Sequence, residues 1–156
     1  MKATIRRAKV SDIATIQAFG SKLLNYEREN YDSSLDGNWA FSDEAKIKYL
    51  DAIQNKYVSI AEVSGQPVGF LIGNIITPMS NDARQIKQAN LQNIYVDEDV
   101  RNTGLGKRLI EDFKEYCKNN DVTRLNVSVL AANTIATDFY YNNGFKPRSL
   151  NLFQEL

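Results

Sequence analysis

The stretch Tyr95-Val-Asp-Glu-Asp-Val-Arg-Asn-Thr-Gly-Leu-Gly-Lys-Arg-Leu-Ile110 decides the reading of this chain. A strand runs through a polar turn into a helix whose first turn is rich in glycine. Such a junction makes an anion cradle. Unpaired backbone N–H groups and the positive end of the helix dipole converge on one spot, and Gly104 and Gly106 let a phosphate approach the backbone with no Cβ in the way. Arg101, Lys107 and Arg108 add mobile positive charge there. The same letters also describe an ordinary strand-to-helix turn that uses glycine for packing. Two nucleotide readings fail on spacing. A Walker A loop needs four residues between its first glycine and a Gly-Lys-Ser/Thr end, and here Gly104-Leu-Gly-Lys107 is followed by Arg108. The dinucleotide fingerprint needs a third glycine three residues after the second, where this chain has Leu109.

Upstream of this junction, Met1 to Val10 alternates weakly and reads as an edge strand. Ser11 offers an N-cap, and Ile13, Ile16, Phe19, Leu23 and Leu24 recur at three to four residues, so Asp12 to about Asn30 is an amphipathic helix. The turn-rich segment Tyr31 to Asn38 follows. Ser42 caps a second helix with Ala45, Tyr49, Ala52 and Ile53 on its inner stripe. Tyr57 to Val63 and Val68 to Ile76 alternate on either side of a Ser-Gly-Gln-Pro turn and form a hairpin. After the polar loop Thr77 to Arg84, Gln85 to Val96 is a strand whose apolar parity slips from Leu91 to Ile94 and Val96. That slip near Asn93 is the trace of a β-bulge. Gly104 to Asn120 is a helix, Leu125, Val127 and Val129 alternate in a strand, Asn133 to Asn143 is a short helix ended by Gly144, and Phe145 to Phe153 supplies a last strand or two. The expectation is one α/β (α+β) domain over residues 1–156, with a mixed twisted sheet of six to seven strands, a bulge in the fourth, and about four helices.

Composition narrows the chemistry. The 156 residues are 43% hydrophobic, and 19 Lys plus Arg balance 19 Asp plus Glu, so no electrostatic case exists for nucleic acid or an anionic membrane as main partner. The absence of histidine removes Ser-His-Asp and Cys-His nucleophile systems and His-ligated metals. A single cysteine, Cys117, excludes an intrachain disulfide and fits a reducing cytoplasm. It lies at helical spacing from Phe113 and reads as a core thiol in preference to a nucleophile. No stretch approaches 18 apolar residues and the N-terminus has no apolar signal segment, so no membrane partner is expected.

Arg101-Asn-Thr-Gly-Leu-Gly106 resembles the Q/R-x-x-G-x-G/A signature of the GNAT N-acetyltransferase family, whose loop binds the pyrophosphate of acetyl-CoA. Asn133-Thr-Ile-Ala-Thr-Asp-Phe-Tyr-Tyr-Asn-Asn-Gly-Phe145 resembles that family's second motif, an Asn, then Ala-x-x-Phe-Tyr, then Gly-Phe. With the order of elements, the resemblance covers the whole chain. It implies acetyl-CoA as cosubstrate and no metal. The implied cofactor-binding groups are the strand backbone at Ile94, Tyr95 and Val96, the loop residues Arg101, Asn102, Thr103, Gly104, Leu105, Gly106 and Lys107, and then Asn133 and Tyr140. Ile94 and Val96 also read as plain core residues, and Asn133 as a helix cap.

The implied reaction is direct attack of a neutral amine on the acetyl thioester, with Tyr140 as catalytic general acid toward the departing sulfur. Tyr140 reads equally as a core residue beside Phe139, and Tyr141 faces about 100° away on the helix. Several members of the family that the chain resembles carry a carboxylate on the bulged strand as base. Here the corresponding residues are Asn90 and Gln92, which leaves water, Glu62, Asp97 or an acid of the first helices. Between Tyr26 and Glu44 six acids, Glu27, Glu29, Asp32, Asp36, Asp43 and Glu44, face one base, Arg28. The expected acceptor is therefore a small cationic amine such as a polyamine or aminoglycoside, with Tyr31 and Trp39 open to cation–π contact. A solvated acidic face is the plain alternative. Two other readings stand beside this one: acetylation of protein lysines or N-termini, and a non-catalytic acyl-CoA-binding regulatory module. Apolar residues from Leu150 to Leu156 suggest a homodimer.

Overall fold

The computed structural model describes residues 2–76 and 86–156. The expected loop Thr77 to Arg84 and the first strand residue Gln85 lie outside the described residues. Five strands form one sheet in the order β1 (Ala3–Arg7), β2 (Tyr57–Val63), β3 (Gln66–Ile76), β4 (Gln88–Val96) and β5 (Arg124–Val127). Neighbours are antiparallel except β4 and β5, which are parallel, so the sheet is mixed.

Period-two alternation sends successive side chains of β2 and β3 to opposite faces and builds two cores. Val58, Ile60, Phe70 and Ile72 meet Ile16 and Phe19 of α1 (Ile13–Asn30) and Ala45, Tyr49 and Ala52 of α2 (Asp43–Asn55). Tyr57, Ala61 and Leu71 meet Leu109, Ile110, Phe113 and Cys117 of α3 (Leu105–Asn119), and Tyr140 of α4 (Thr134–Asn142). Cys117 is a buried core thiol, as expected, and burial pushes its pKa up to about 11. Local chemistry sets the helix starts: Ser42 Oγ accepts from Ala45 N at 3.1 Å and Asn133 Oδ1 from Ala136 N at 3.0 Å.

The bulge lies where the parity slips. Ile72 pairs with Asn93 but Gly73 pairs with Leu91, which leaves Gln92 as the extra residue. In consequence Leu91, Ile94 and Val96 all face the α3 core, while Tyr95 turns to the α1 side and packs 5.7 Å from Phe19.

The sheet differs from expectation at its far end, with five strands in place of six to seven. Residues 145–156 form no strand, and Leu150, Leu152 and Phe153 are exposed. A strand needs an edge to bond. The outer edge of the four-residue β5 stays unpaired among the described residues, and Pro147 has no backbone N–H to give to a ladder there, so the apolar letters of this segment join no strand.

Candidate active site

The bulge has a second consequence. β4 and β5 pair only from Gln88 with Arg124 to Leu91 with Val127, and beyond the extra residue the two strands diverge. Residues 92–96 of β4 therefore face residues 128–130 across an open wedge instead of a ladder. On that side the backbone N–H and C=O groups of β4 have no strand partner. The wedge widens into a cleft of about 900 Å³, lined also by α4, by the first turn of α3 and by Leu23, Leu24, Tyr26 and Glu27 of α1.

The start of α3 is built for this position on the cleft. Gly104 is its N-cap at φ +82°, the left-handed region that a side chain adopts only at a cost, and Asn102 just before it has φ +62°. Gly106 answers a different need, because a Cβ there would come within 3.2 Å of the Phe139 ring. The N–H groups of this first turn have no preceding carbonyl to bond and point outward at the positive end of the helix. Lys107 lines the cleft beside them.

Of the expected cofactor residues, Ile94, Tyr95, Val96, Arg101, Asn102, Gly104, Leu105, Gly106, Lys107, Asn133 and Tyr140 line the cleft, and Thr103 does not. The Thr103 hydroxyl instead donates to Val100 O at 2.7 Å. Arg101 is less mobile than its position in the loop suggests. Its Nε donates to Val96 O at 3.0 Å and its guanidinium lies over the rings of Tyr26 and Tyr95. Arg108 leaves the cradle altogether and donates to Ala3 O at 3.0 Å, since one helical step from Lys107 turns it by about 100°.

Tyr140 is buried, 8% exposed, with its ring edge-on to Phe145 at 5.4 Å. Burial and the charge of Glu27 push its phenol up to about 12. It is protonated throughout the neutral range. Both readings of this residue hold together, because it packs in the core and still lines the cleft.

The acidic run is absorbed differently from expectation. Asp32 accepts from the Ser34 backbone and hydroxyl, Asp36 caps a short 3-10 turn by accepting from Asn38 N, and Glu44 pairs with Lys48 at 2.7 Å. Trp39 packs against Tyr49 beneath Lys48, and Tyr31 holds the Tyr26 hydroxyl at 3.3 Å; neither lines the cleft. Of the six acids only Glu27 lines it. The two acids named as other bases are also engaged. Glu62 pairs with Arg6 at 2.8 Å, Asp97 pairs with Lys22 at 2.7 Å, and neither lines the cleft.

An unzipped bulged strand, a glycine-capped helix start and a buried tyrosine on one cleft form a recognisable arrangement. The profile of the acetyltransferase (GNAT) family matches residues 21–145. The chain belongs to that family. It is 25% identical over 148 residues to the uncharacterized N-acetyltransferase MJ1207 of Methanocaldococcus jannaschii, covering 94% of this chain and 62% of that one. It is 29% identical over 142 residues to the uncharacterized N-acetyltransferase YhfO of Bacillus subtilis, covering 91% and 89%. Two solved structures share the GNAT fold. A tetramutant of the BH1408 protein of Bacillus halodurans superposes with a TM-score of 0.88 at 19% identity over 98% of this chain and 99% of that one. AAC(6')-Iy, solved with the bisubstrate analog CoA-S-monomethyl-acetylneamine, gives 0.75 at 17% identity over 100% and 99%.

Sequence reasoning did not place the α1 end of this cleft. Glu27 stood there among six acids, with an acid of the first helices left open as base, and Tyr26 only marked where the acidic run begins. A signal existed: Glu27 lies four residues after Leu23 and three after Leu24, on the same face of α1.

Proposed function

We propose that this chain, as one domain over residues 1–156, is an acetyl-CoA-dependent N-acetyltransferase acting on a small cationic amine. The observation that carries the reading is the unpaired edge of β4 at residues 92–96, opening on the same cleft as the start of α3. These groups fit a CoA thioester. The α3 N-terminus and Lys107 suit a pyrophosphate, and on the open edge the Ile94 backbone groups and the Val96 N–H, which flank Tyr95, suit the amides of a pantetheine arm. Acetyl-CoA supplies the activated acyl group; the protein positions it, excludes water and moves protons. A backbone N–H on the open edge polarises the thioester carbonyl. Tyr140, holding its proton at neutral pH, delivers it to the departing sulfur.

The cationic acceptor is supported by Glu27, the one half-buried acid on the cleft wall, since Asp138, the other acid there, is exposed. The solved AAC(6')-Iy complex, whose analog carries an acetylneamine, agrees with that class. Calorimetric titration with acetyl-CoA, with ATP and NAD as controls, tests the reading. Selective binding of acetyl-CoA is expected, and failure to bind it overturns the assignment.

Two subsidiary parts complete the proposal. A second copy of the chain covers the exposed Leu150, Leu152 and Phe153, so light scattering should report a dimer, and a monomeric mass refutes this part. A cytoplasmic location agrees with the free thiol of Cys117, and among the described residues no helix is long and apolar enough to cross a membrane.

A further inference from the structure

We infer that Glu27 is the catalytic base of this site: its carboxylate holds the acceptor's ammonium group against Tyr140 and takes the proton that must leave before nitrogen can attack. The inference rests on the transferase reading and supplies the base that β4 lacks, where Asn90 and Gln92 cannot accept a proton. Three observations carry it. Glu27 on α1 and Tyr140 on α4 line the same cleft, near enough for the charge of Glu27 to help raise the Tyr140 phenol. Among the described residues Glu27 has no ion-pair partner, whereas Glu62 and Asp97 are each spent on one. Finally, burial and the charge of Asp32 raise the Glu27 carboxyl above its ordinary value, which makes the ionised form a better proton acceptor. Asp32 beyond the end of α1 acts on its charge. The charged and titratable groups that share the cleft with it are Tyr26 on α1, Tyr140 and Asp138 on α4, Tyr95 on β4, Lys107 in the first turn of α3, and Arg101, which lies over the Tyr26 ring.

The step balances. One ammonium proton passes to Glu27 and on to solvent; the nitrogen lone pair forms the C–N bond; a second proton leaves nitrogen for solvent. The C–S bond breaks with its electron pair on sulfur. Sulfur takes the Tyr140 proton, and the phenolate is reprotonated from solvent. The sum is one amide, one thiol and one proton released.

The test compares wild type, Glu27→Gln and Glu27→Asp for acetyl-CoA binding and for kcat/KM against pH, with spermidine and sisomicin as acceptors. With a base in place, wild type reaches a plateau between the raised carboxyl value and the amine's pKa of about 10. Glu27→Gln should bind acetyl-CoA normally and lose about a hundredfold or more at pH 7. Its rate should climb about tenfold per pH unit toward pH 10, because only amine that arrives neutral can react. Glu27→Asp should keep the plateau at a lower height, and an unchanged kcat there overturns the inference even if the Gln variant does not fold. A Gln variant with wild-type kcat and plateau and only a raised KM makes Glu27 an anchor, and likewise overturns it. Wild type that transfers to neither amine nor to a lysine peptide sinks the transferase reading itself.

Discussion

Replacing Tyr140 by Phe removes one oxygen, and the surroundings of that oxygen fix what should follow. The ring is buried between Phe139 and Phe145, and those contacts survive the change. Among the described residues the hydroxyl has no hydrogen-bond partner and opens on the cleft. A paired hydroxyl would be worth about 0.5–1.5 kcal/mol net, but here no bond is broken. Stability should therefore hold within about 0.5 kcal/mol, or about 2 °C in Tm for a domain of this size. Catalysis should not hold. A positioned general acid contributes about 10²–10⁴-fold, equivalent to about 3–5 kcal/mol of barrier. The assay is CoA thiol release under saturating acetyl-CoA, read beside a thermal melt and a binding titration. Because the phenol sits at about 12, the wild-type rate should show no loss from Tyr140 ionisation through pH 9. Tyr141→Phe, at a half-exposed neighbour, serves as the control and should leave the rate unchanged. A Tyr140→Phe protein that binds acetyl-CoA and turns over within threefold of wild type would refute the acid assignment.

Gly104→Ala forces a side chain into φ +82°, at a cost of about 1–2 kcal/mol. Nothing lies within 4 Å of the added Cβ, so the backbone alone carries that cost. Tm should fall by about 2–8 °C, and an unchanged melt contradicts the assigned helix cap. Asp12→Asn breaks the two-pronged pair with Arg6, whose bonds measure 2.8 and 2.9 Å, and should lose about 1.5–3 kcal/mol at pH 7. Chiefly through those bonds Arg6 holds the Asp12 carboxyl below its ordinary 3.8, so the stabilisation is complete above that value and disappears as pH falls through the lower folded one. Urea melts should show the gap between variant and wild type closing in acid, and a gap independent of pH rejects the pairing.

Local periodicity made most of this fold legible. The helices at residues 13–30, 43–55, 105–119 and 134–142 fall where apolar stripes place them, and Ser42 and Asn133 cap theirs. Ser11, the expected cap of the first, lies instead inside a 3-10 turn, and Asp12 takes the N-cap position. The slip between Leu91 and Ile94 located the bulge to within a residue, because one inserted residue must flip every later side chain. Strand pairing was less legible. Leu150 and Leu152 alternate as a strand would, but pattern records a residue's preference for a face and not whether the segment reaches an edge, and the outer edge of β5 stays unpaired among the described residues. The acids from Glu27 to Glu44 show the same gap. Charge counting treats Asp32, Asp36 and Glu44 alike with Glu27, while the fold assigns the first two to turns, the third to Lys48, and leaves only the last facing the cleft.

The site also explains why its letters are so few. Its central surface is backbone, freed because Gln92 adds a residue to β4 and the strand swings away from β5 after Leu91. Backbone N–H and C=O groups are the same whatever side chain they carry, so Ile94 and Val96 can be chosen for the α3 core and still serve a ligand on the open edge. Only where charge or a proton must be handled does the chain need particular residues. On the proposed reading that is the case at Tyr140 and Glu27, a phenol and a carboxyl both desolvated on the one cleft, an arrangement that stability alone does not favour. A fold selected for stability alone would have closed the β4–β5 ladder and filled the Glu27 position with leucine, like Leu23 and Leu24 on the same wall. That it does neither is the strongest physical argument that the open wedge is kept for a ligand.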